Sequence, residues 1–295
     1  MVKIREFNGH TQAIYNLVSS SSADTFYSSG SDGKIICWNC NETLGELFAQ
    51  IPTAVFSMCI HDQYLLCGTQ AGSIYVFDIH LKQLIHSELL NYKTIFEISY
   101  YQAKFYLATQ SGKLIEFSTQ DLKHRELLDV RFPIRKLLFE SEHVFIGCSE
   151  GKLYDYNFKN NSINQLIHHE MSVFALELIN DALYSAGREA KITIWNDYQV
   201  TNEIDAHWYA IKDLKYNAES KLLISSSMDK TIKLWNAENM ELLKVIDYQK
   251  NEAHQSSVNK ILWIDRKRFI SCSDDKKIIL FEITNINDTY RPTNT

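Results

Sequence analysis

Seven aromatic residues recur along this chain at a nearly fixed interval. They are Trp38, Phe77, Phe117, Tyr156, Trp195, Trp235 and Phe281, separated by 39, 40, 39, 39, 40 and 46 positions. Each closes a short alternating stretch, of which Lys230-Thr231-Ile232-Lys233-Leu234-Trp235-Asn236 is the clearest copy. A period near forty held from end to end demands a repeat architecture, in which each unit buries its apolar face against its neighbours. Helical repeats of that length would show apolar residues at i, i+3, i+4 and i+7. Here the runs are short, rich in Ile, Val, Tyr, Phe and Leu, and broken by Ser, Gly, Asn and Asp, which is strand chemistry with tight turns. Roughly forty residues hold about four strands of ~5 residues, one blade of a propeller.

The two ends of the chain complement each other. Phe7 precedes His10 by three positions, the offset that recurs as Leu166 before His169 and Ile204 before His207. The N-terminal segment 2–8 therefore reads as an outermost strand without a blade of its own, and the last repeat ends soon after Phe281. Pairing the first into the last closes the ring and removes exposed sheet edges. The expected organisation is one all-β propeller over 1–295, with repeats near 10–50, 51–90, 91–129, 130–168, 169–206, 207–253 and 254–284, the closing strand 2–8, and a polar tail 285–295. An apolar residue 22 to 24 positions before each closing aromatic marks the innermost strand: Ile14, Val55, Ile95, Ile134, Val173, Ile211 and Val258. The surplus between Trp235 and Val258 falls at Tyr248 to Glu252, a longer connection between the last two repeats that is expected to extend the channel-rim surface.

Four polar positions also line up. A Ser lies ten residues before the closing aromatic, an Asp or Glu six before it, and a His four before the inner apolar residue. The sets are His10, Ser28, Asp32 and Trp38; His169, Ser185, Glu189 and Trp195; His207, Ser225, Asp229 and Trp235; and His254, Ser271 and Asp275, followed by Phe281 in place of Trp. Together with Gly9-His10, Ala206-His207 and the Trp-Asn closes at Trp38, Trp195 and Trp235, this pattern resembles the WD40-repeat family over essentially the whole chain. The resemblance implies a seven-bladed β-propeller and a structural tetrad in which Asp, His, Ser and Trp form one hydrogen-bonded chain. The residue types suit it: Trp only donates, Ser and neutral His do both, and a carboxylate ends the relay. Phe281 cannot donate, so the seventh network is expected to stop one link short. Repeats two, three and four carry Ile51, Asn91 and Val130 at the His slot and Cys67, Leu107 and Ile146 at the Ser slot. Those blades are expected to hold by packing alone, since a half-satisfied buried network is worse than an apolar one.

Sharper chemistry does not survive the same reading. His, Ser and Asp at one spacing suggest a nucleophilic triad, but four copies argue for structure. Cys37-Trp38-Asn39-Cys40 lacks the second ligand pair of a zinc site. His168-His169-Glu170 shares its second His with the tetrad, and no glycine-rich phosphate loop is present. Neither a metal nor a cofactor is expected. The net charge of −6 and scattered basic residues disfavour nucleic acid. No export signal or membrane-length apolar run is visible, so a cytoplasmic, soluble protein, monomeric on its own, is expected.

Function then rests with the surface. In propellers of this resemblance, the residues after the His slot and the one before the turn Asp share the rim of the central channel. Here they are Tyr92 and Lys93, Arg131 and Phe132, Glu170 and Met171, Trp208 and Tyr209, with Gln110, Arg188, Met228 and Asp274. Trp, Tyr, Arg and Met dominate interface hot spots. Trp208 and Tyr209, beside Arg188 and Met228, are the candidate anchor for a protein or peptide partner of a non-catalytic scaffold. The alternative is a small-ligand binder or an enzyme using the channel mouth, which would require convergent carboxylates or histidines.

Overall fold

The computed structural model describes residues 1–22 and 24–284, so the polar tail 285–295 lies outside the described residues. Seven four-stranded antiparallel sheets form a seven-bladed propeller. The innermost strands are Ile14–Ser19, Val55–His61, Ile95–Tyr101, Ile134–Glu140, Val173–Ile179, Ile211–Asn217 and Val258–Trp263. They pack side by side around one axis, and the last lies against the first. Strand alternation turns one set of side chains toward each neighbouring blade. The core is accordingly a series of layers between sheets, such as Ile192, Leu214, Leu223 and Trp235 between blades five and six.

Closure is made by the N-terminal strand. Val2–Asn8 pairs antiparallel with Lys277–Glu282, from Val2 opposite Glu282 to Asn8 opposite Lys277, with a one-residue shift of register between Lys3 and Arg5. Phe7 thereby enters a core with Phe26 and Trp38 of the first blade, its ring edge-on to both at 5.4 and 5.5 Å. The turns use Asn and Asp where the chain is poor in glycine. Asn180 and Asp181 both take left-handed φ (49° and 66°), the geometry of a two-residue hairpin whose twist matches its strands. Glycine is indispensable where backbones meet: a Cβ on Gly187 would lie 1.9 Å from the Ser172 carbonyl oxygen. The longer connection forms one helical turn, Tyr248–Asn251, capped by Asp247. The Lys3 ammonium on the outermost strand donates to the Glu252 carbonyl that follows the turn.

Candidate functional site on the channel face

In blade six the Trp235 indole N–H donates to Ser225 Oγ at 2.9 Å, and Ser225 Oγ lies 2.7 Å from His207 Nε2. His207 Nδ1 in turn lies 2.9 Å from Asp229. The carboxylate fixes the tautomer: Nδ1–H donates to it, so Nε2 accepts from the serine, whose oxygen accepts from the indole. The same chain joins Trp38, Ser28, His10 and Asp32 at 2.8, 2.7 and 3.0 Å, and Trp195, Ser185, His169 and Glu189 at 2.7 Å throughout. In blade seven His254 bridges Ser271 and Asp275, and Phe281 leaves the serine with no indole donor.

Each carboxylate also anchors the turn that follows its histidine. Asp229 accepts the Trp208 amide at 3.0 Å, and Glu189 accepts those of Glu170 and Met171 at 2.6 and 3.1 Å. Burial alone would raise Glu189, but the His169 and backbone donors pull its carboxyl down to about 2. Burial holds His10 and His207 below the ordinary histidine value against the opposing effect of their aspartates. In both cases the unfolded chain binds more protons than the folded one, so stability falls as pH falls. Melting temperature should begin to drop below the unfolded histidine value of 6.5. It should fall further from 4.5 toward 2 as Glu189 protonates, and Glu189→Gln should shrink the loss in that second window. A melting temperature flat from pH 7 to 3 would contradict this.

Blades two to four do not rest on packing alone. Thr69 and Thr109 each close the turn after their strand, accepting from Ser73 N at 2.9 Å and Lys113 N at 3.0 Å. In blade three Glu116 takes a bidentate pair of bonds from Arg125. In blade four buried Asp155 binds His143 Nδ1 at 2.8 Å and the Tyr198 hydroxyl at 2.7 Å. These groups use positions outside the tetrad slots, which is why slot comparison passes over them.

The rim residues separate into two groups. Tyr92 packs on the Leu90–Phe105 core with its ring edge-on to His124, and Phe132 packs on the core around Val130 and Ile134. Those two rings are half-buried in the layers between blades two and three and between blades three and four, while Lys93 and Arg131 are exposed at left-handed φ of 60° and 65°. Blades five and six differ. Trp208 is 86% exposed and Tyr209 65%, so neither is tucked under a neighbouring blade. The turns around them are stitched together: Arg188 N donates to Ser172 O, His207 N to Ala190 O, and Met228 N to Ala210 O. Met171, Arg188, Trp208, Tyr209 and Met228 therefore sit on one hydrogen-bonded corner.

Beside this corner lies a second set that slot comparison misses. In all seven blades the ladder of the inner strand shifts register between its first and third residues. A β-bulge re-aims the side chain it carries. The seven bulged residues are Tyr15, Phe56, Phe96, Arg135, Phe174, Lys212 and Asn259, and all seven line the channel mouth, a cavity of about 290 Å³ that Met228 and Asp274 also line. Tyr15 stacks on Phe56 at 4.6 Å, Phe56 meets Phe96 edge-on, and the Arg135 guanidinium sits 3.9 Å over Phe96. Lys212 lies 5.1 Å from the centre of Phe174. The signal was present in the sequence: each lining residue directly follows one of the seven inner apolar positions.

From the floor of the mouth, where Glu97 and Lys260 still line it, the inner strands continue down the channel with Lys136, Glu177, Asp213 and Lys215. Lys136 pairs with Glu97 at 2.5 Å, with Lys215 and Glu177 at 3.8 Å and Lys260 and Asp213 at 3.9 Å. Burial opposes charge on Glu97, yet the Lys136 and Lys260 ammoniums hold its carboxyl below the ordinary range. Three anions and three cations thus balance inside the channel.

Residues 1–39, 198–236 and 247–282 match the model of the WD domain, G-beta repeat. These segments contain the histidine, serine and carboxylate of blades one, six and seven. The chain is 34% identical over 96 residues to the transcriptional corepressor LEUNIG_HOMOLOG of Arabidopsis thaliana, covering 32% of this chain and 12% of that protein. It is 23% identical over 142 residues to a probable cytosolic iron-sulfur protein assembly protein 1 of Kluyveromyces lactis, covering 43% and 41%. The chain thus spans less than half the length of these relatives. The crystal structure of the WD40 β-propeller domain of Doa1 superposes with a TM-score of 0.83 at 14% identity, over 97% of this chain and 98% of that one.

Proposed function

The chain carries WD40 repeats closed into a seven-bladed propeller, and on that premise we propose that it is a non-catalytic scaffold binding a peptide segment or protein domain at the channel rim. One observation carries the reading. Trp208 and Tyr209 are held outward on a turn fixed from both sides, by Asp229 on the Trp208 amide and by the Ser227 hydroxyl on the Tyr209 carbonyl. An exposed aromatic pair on a rigid turn gives up its hydration on binding with little loss of conformational freedom, the property of an interface anchor. The relatives include proteins described as a corepressor and as Actin-interacting protein 1, names that imply action through other proteins. The carboxylates at the mouth are already engaged, Glu97 by Lys136 and Asp274 by the Asn259 amide, and the Ser257 hydroxyl donates to Asn259, so no nucleophile is paired with a base there, which supports binding over catalysis. We place the protein in the cytoplasm, where its six free thiols would stay reduced.

The test is affinity capture from native cytoplasm with identification of what is retained, followed by affinity measurement. Trp208→Ala combined with Arg188→Glu should lose the partner by tenfold or more, as hot-spot truncation costs about 2 kcal/mol or above. Retention of the same partner by a folded double variant would move the interface elsewhere on the ring.

A further inference from the structure

We propose that the channel mouth holds a single carboxylate, an Asp or Glu side chain of the bound segment, between Arg135 and Lys212. This rests on the rim reading and names what the partner inserts beside the Trp208–Tyr209 corner. Arg135 and Lys212 are cations brought to the mouth by the bulges of blades four and six. Among the described residues, no carboxylate forms an ion pair with either one. Arg135 donates through Nε to Ser149 Oγ at 3.1 Å and lies over Phe96, while Lys212 flanks Phe174. Phe174 lies between them, with the Arg135 guanidinium 6.0 Å from its ring centre.

Two half-buried cations on aromatic walls have lost much of their water without gaining a direct ion-pair partner. Burial lowers the proton affinity of both, and for Lys212 the nearby Arg135 adds to it while Asp274 opposes. An incoming anion would restore the balance through charge-assisted hydrogen bonds. Charge count favours carboxylate over phosphate. Asp274 at the same mouth is held by the Asn259 amide at 2.7 Å and offsets one of the two cations. The net surplus near one unit matches a carboxylate rather than the near-double charge of a phosphomonoester. The deeper charges are already matched among themselves, as Lys136 with Glu97 and Lys260 with Asp213. The mouth volume of about 290 Å³ suits one inserted side chain, not a folded domain.

The experiment presents the immobilised full chain with four pools of extended heptapeptides, randomised except for a central Glu, Gln, Lys or phosphoserine. The Glu pool should be retained about tenfold above the Gln pool, since a charge-assisted bond exceeds a neutral one. Lys212→Met should erase that preference, and Lys212→Arg should keep it, which separates loss of charge from loss of fold. Trp208→Ala should weaken all pools alike. Equal retention of Glu and Gln pools, a preference that survives Lys212→Met, or retention of the phosphoserine pool alone would each overturn the carboxylate site while leaving the rim reading intact. If the folded wild type retains no pool, both fall.

Discussion

Lys136→Met should unfold at markedly lower urea than the wild type, with a loss of about 3–5 kcal/mol, because it strands the Glu97 charge inside the channel. Lys136 and Glu97 leave only 7% and 14% of their side chains accessible, so solvent can screen little of the exposed charge. The alternatives open to Glu97 are poor. It can give up its charge by taking a proton, toward which burial drives its carboxyl once Lys136 no longer lowers it, or lean on Lys260, which already serves Asp213 at 3.9 Å. Asp213 has no slack to share, since one of its oxygens accepts the Ile261 amide and the other lacks a partner. Removing both members as Lys136→Met/Glu97→Gln keeps the channel neutral and should recover most of the loss. Tryptophan fluorescence during urea unfolding reads all three proteins. If the single variant is as stable as wild type, the pair is not desolvated and the channel is wet at that depth. If the double variant is no better than the single, the cost comes from lost packing of the lysine stem.

The architecture was legible because its signals repeat. One Trp-closed strand is ambiguous, but seven aromatics at one spacing leave little else, and the spare strand at 2–8 required a place to pair. The tetrads were legible for the same reason, as fixed offsets among residues whose donor and acceptor capacities fit. What stayed hidden is what does not repeat in kind. The bulged ring holds Tyr, three Phe, Arg, Lys and Asn, a common position with no common chemistry, so comparing residue types across repeats cannot find it. A bulge moreover reverses the facing that alternation assigns. Strict alternation from Ile14 would place Tyr15 and Asn16 on opposite faces, whereas both line the same mouth. Asp155 and His143 escaped for a similar reason, lying at positions of blade four that have no counterpart in the tetrad slots. On the rim, the sequence could not show that Tyr92 and Phe132 pack into the layers between blades while Trp208 and Tyr209 stand clear, because that depends on how neighbouring sheets meet.

Ser225→Ala should cost about twice as much stability as Ser271→Ala, although both delete one hydroxyl from a fully buried site. Ser225 is the hub between two groups. Its loss leaves the Trp235 N–H, 2.9 Å away, and His207 Nε2, 2.7 Å away, both without a partner. An orphaned buried donor or acceptor costs about 1–3 kcal/mol, so the blade-six variant should lose about 2–6 kcal/mol. In blade seven only His254 is orphaned, because Phe281 made no bond to lose and stacks on Phe269 at 5.3 Å instead. The blade-six loss should also reach the rim. His207 positions Asp229, and Asp229 holds the Trp208 amide, so a loosened imidazole frees the anchor turn. Hydrogen exchange at the Trp208 amide should therefore quicken in Ser225→Ala and stay unchanged in Ser271→Ala. Equal destabilisation by the two substitutions would mean that the indole N–H finds another acceptor, and the tetrad would then be a set of pairs rather than one coupled chain. An unchanged Trp208 amide in a destabilised Ser225→Ala would show that Asp229 is fixed by the turn itself, through its bonds to Thr231, and that the rim is rigid without the indole link.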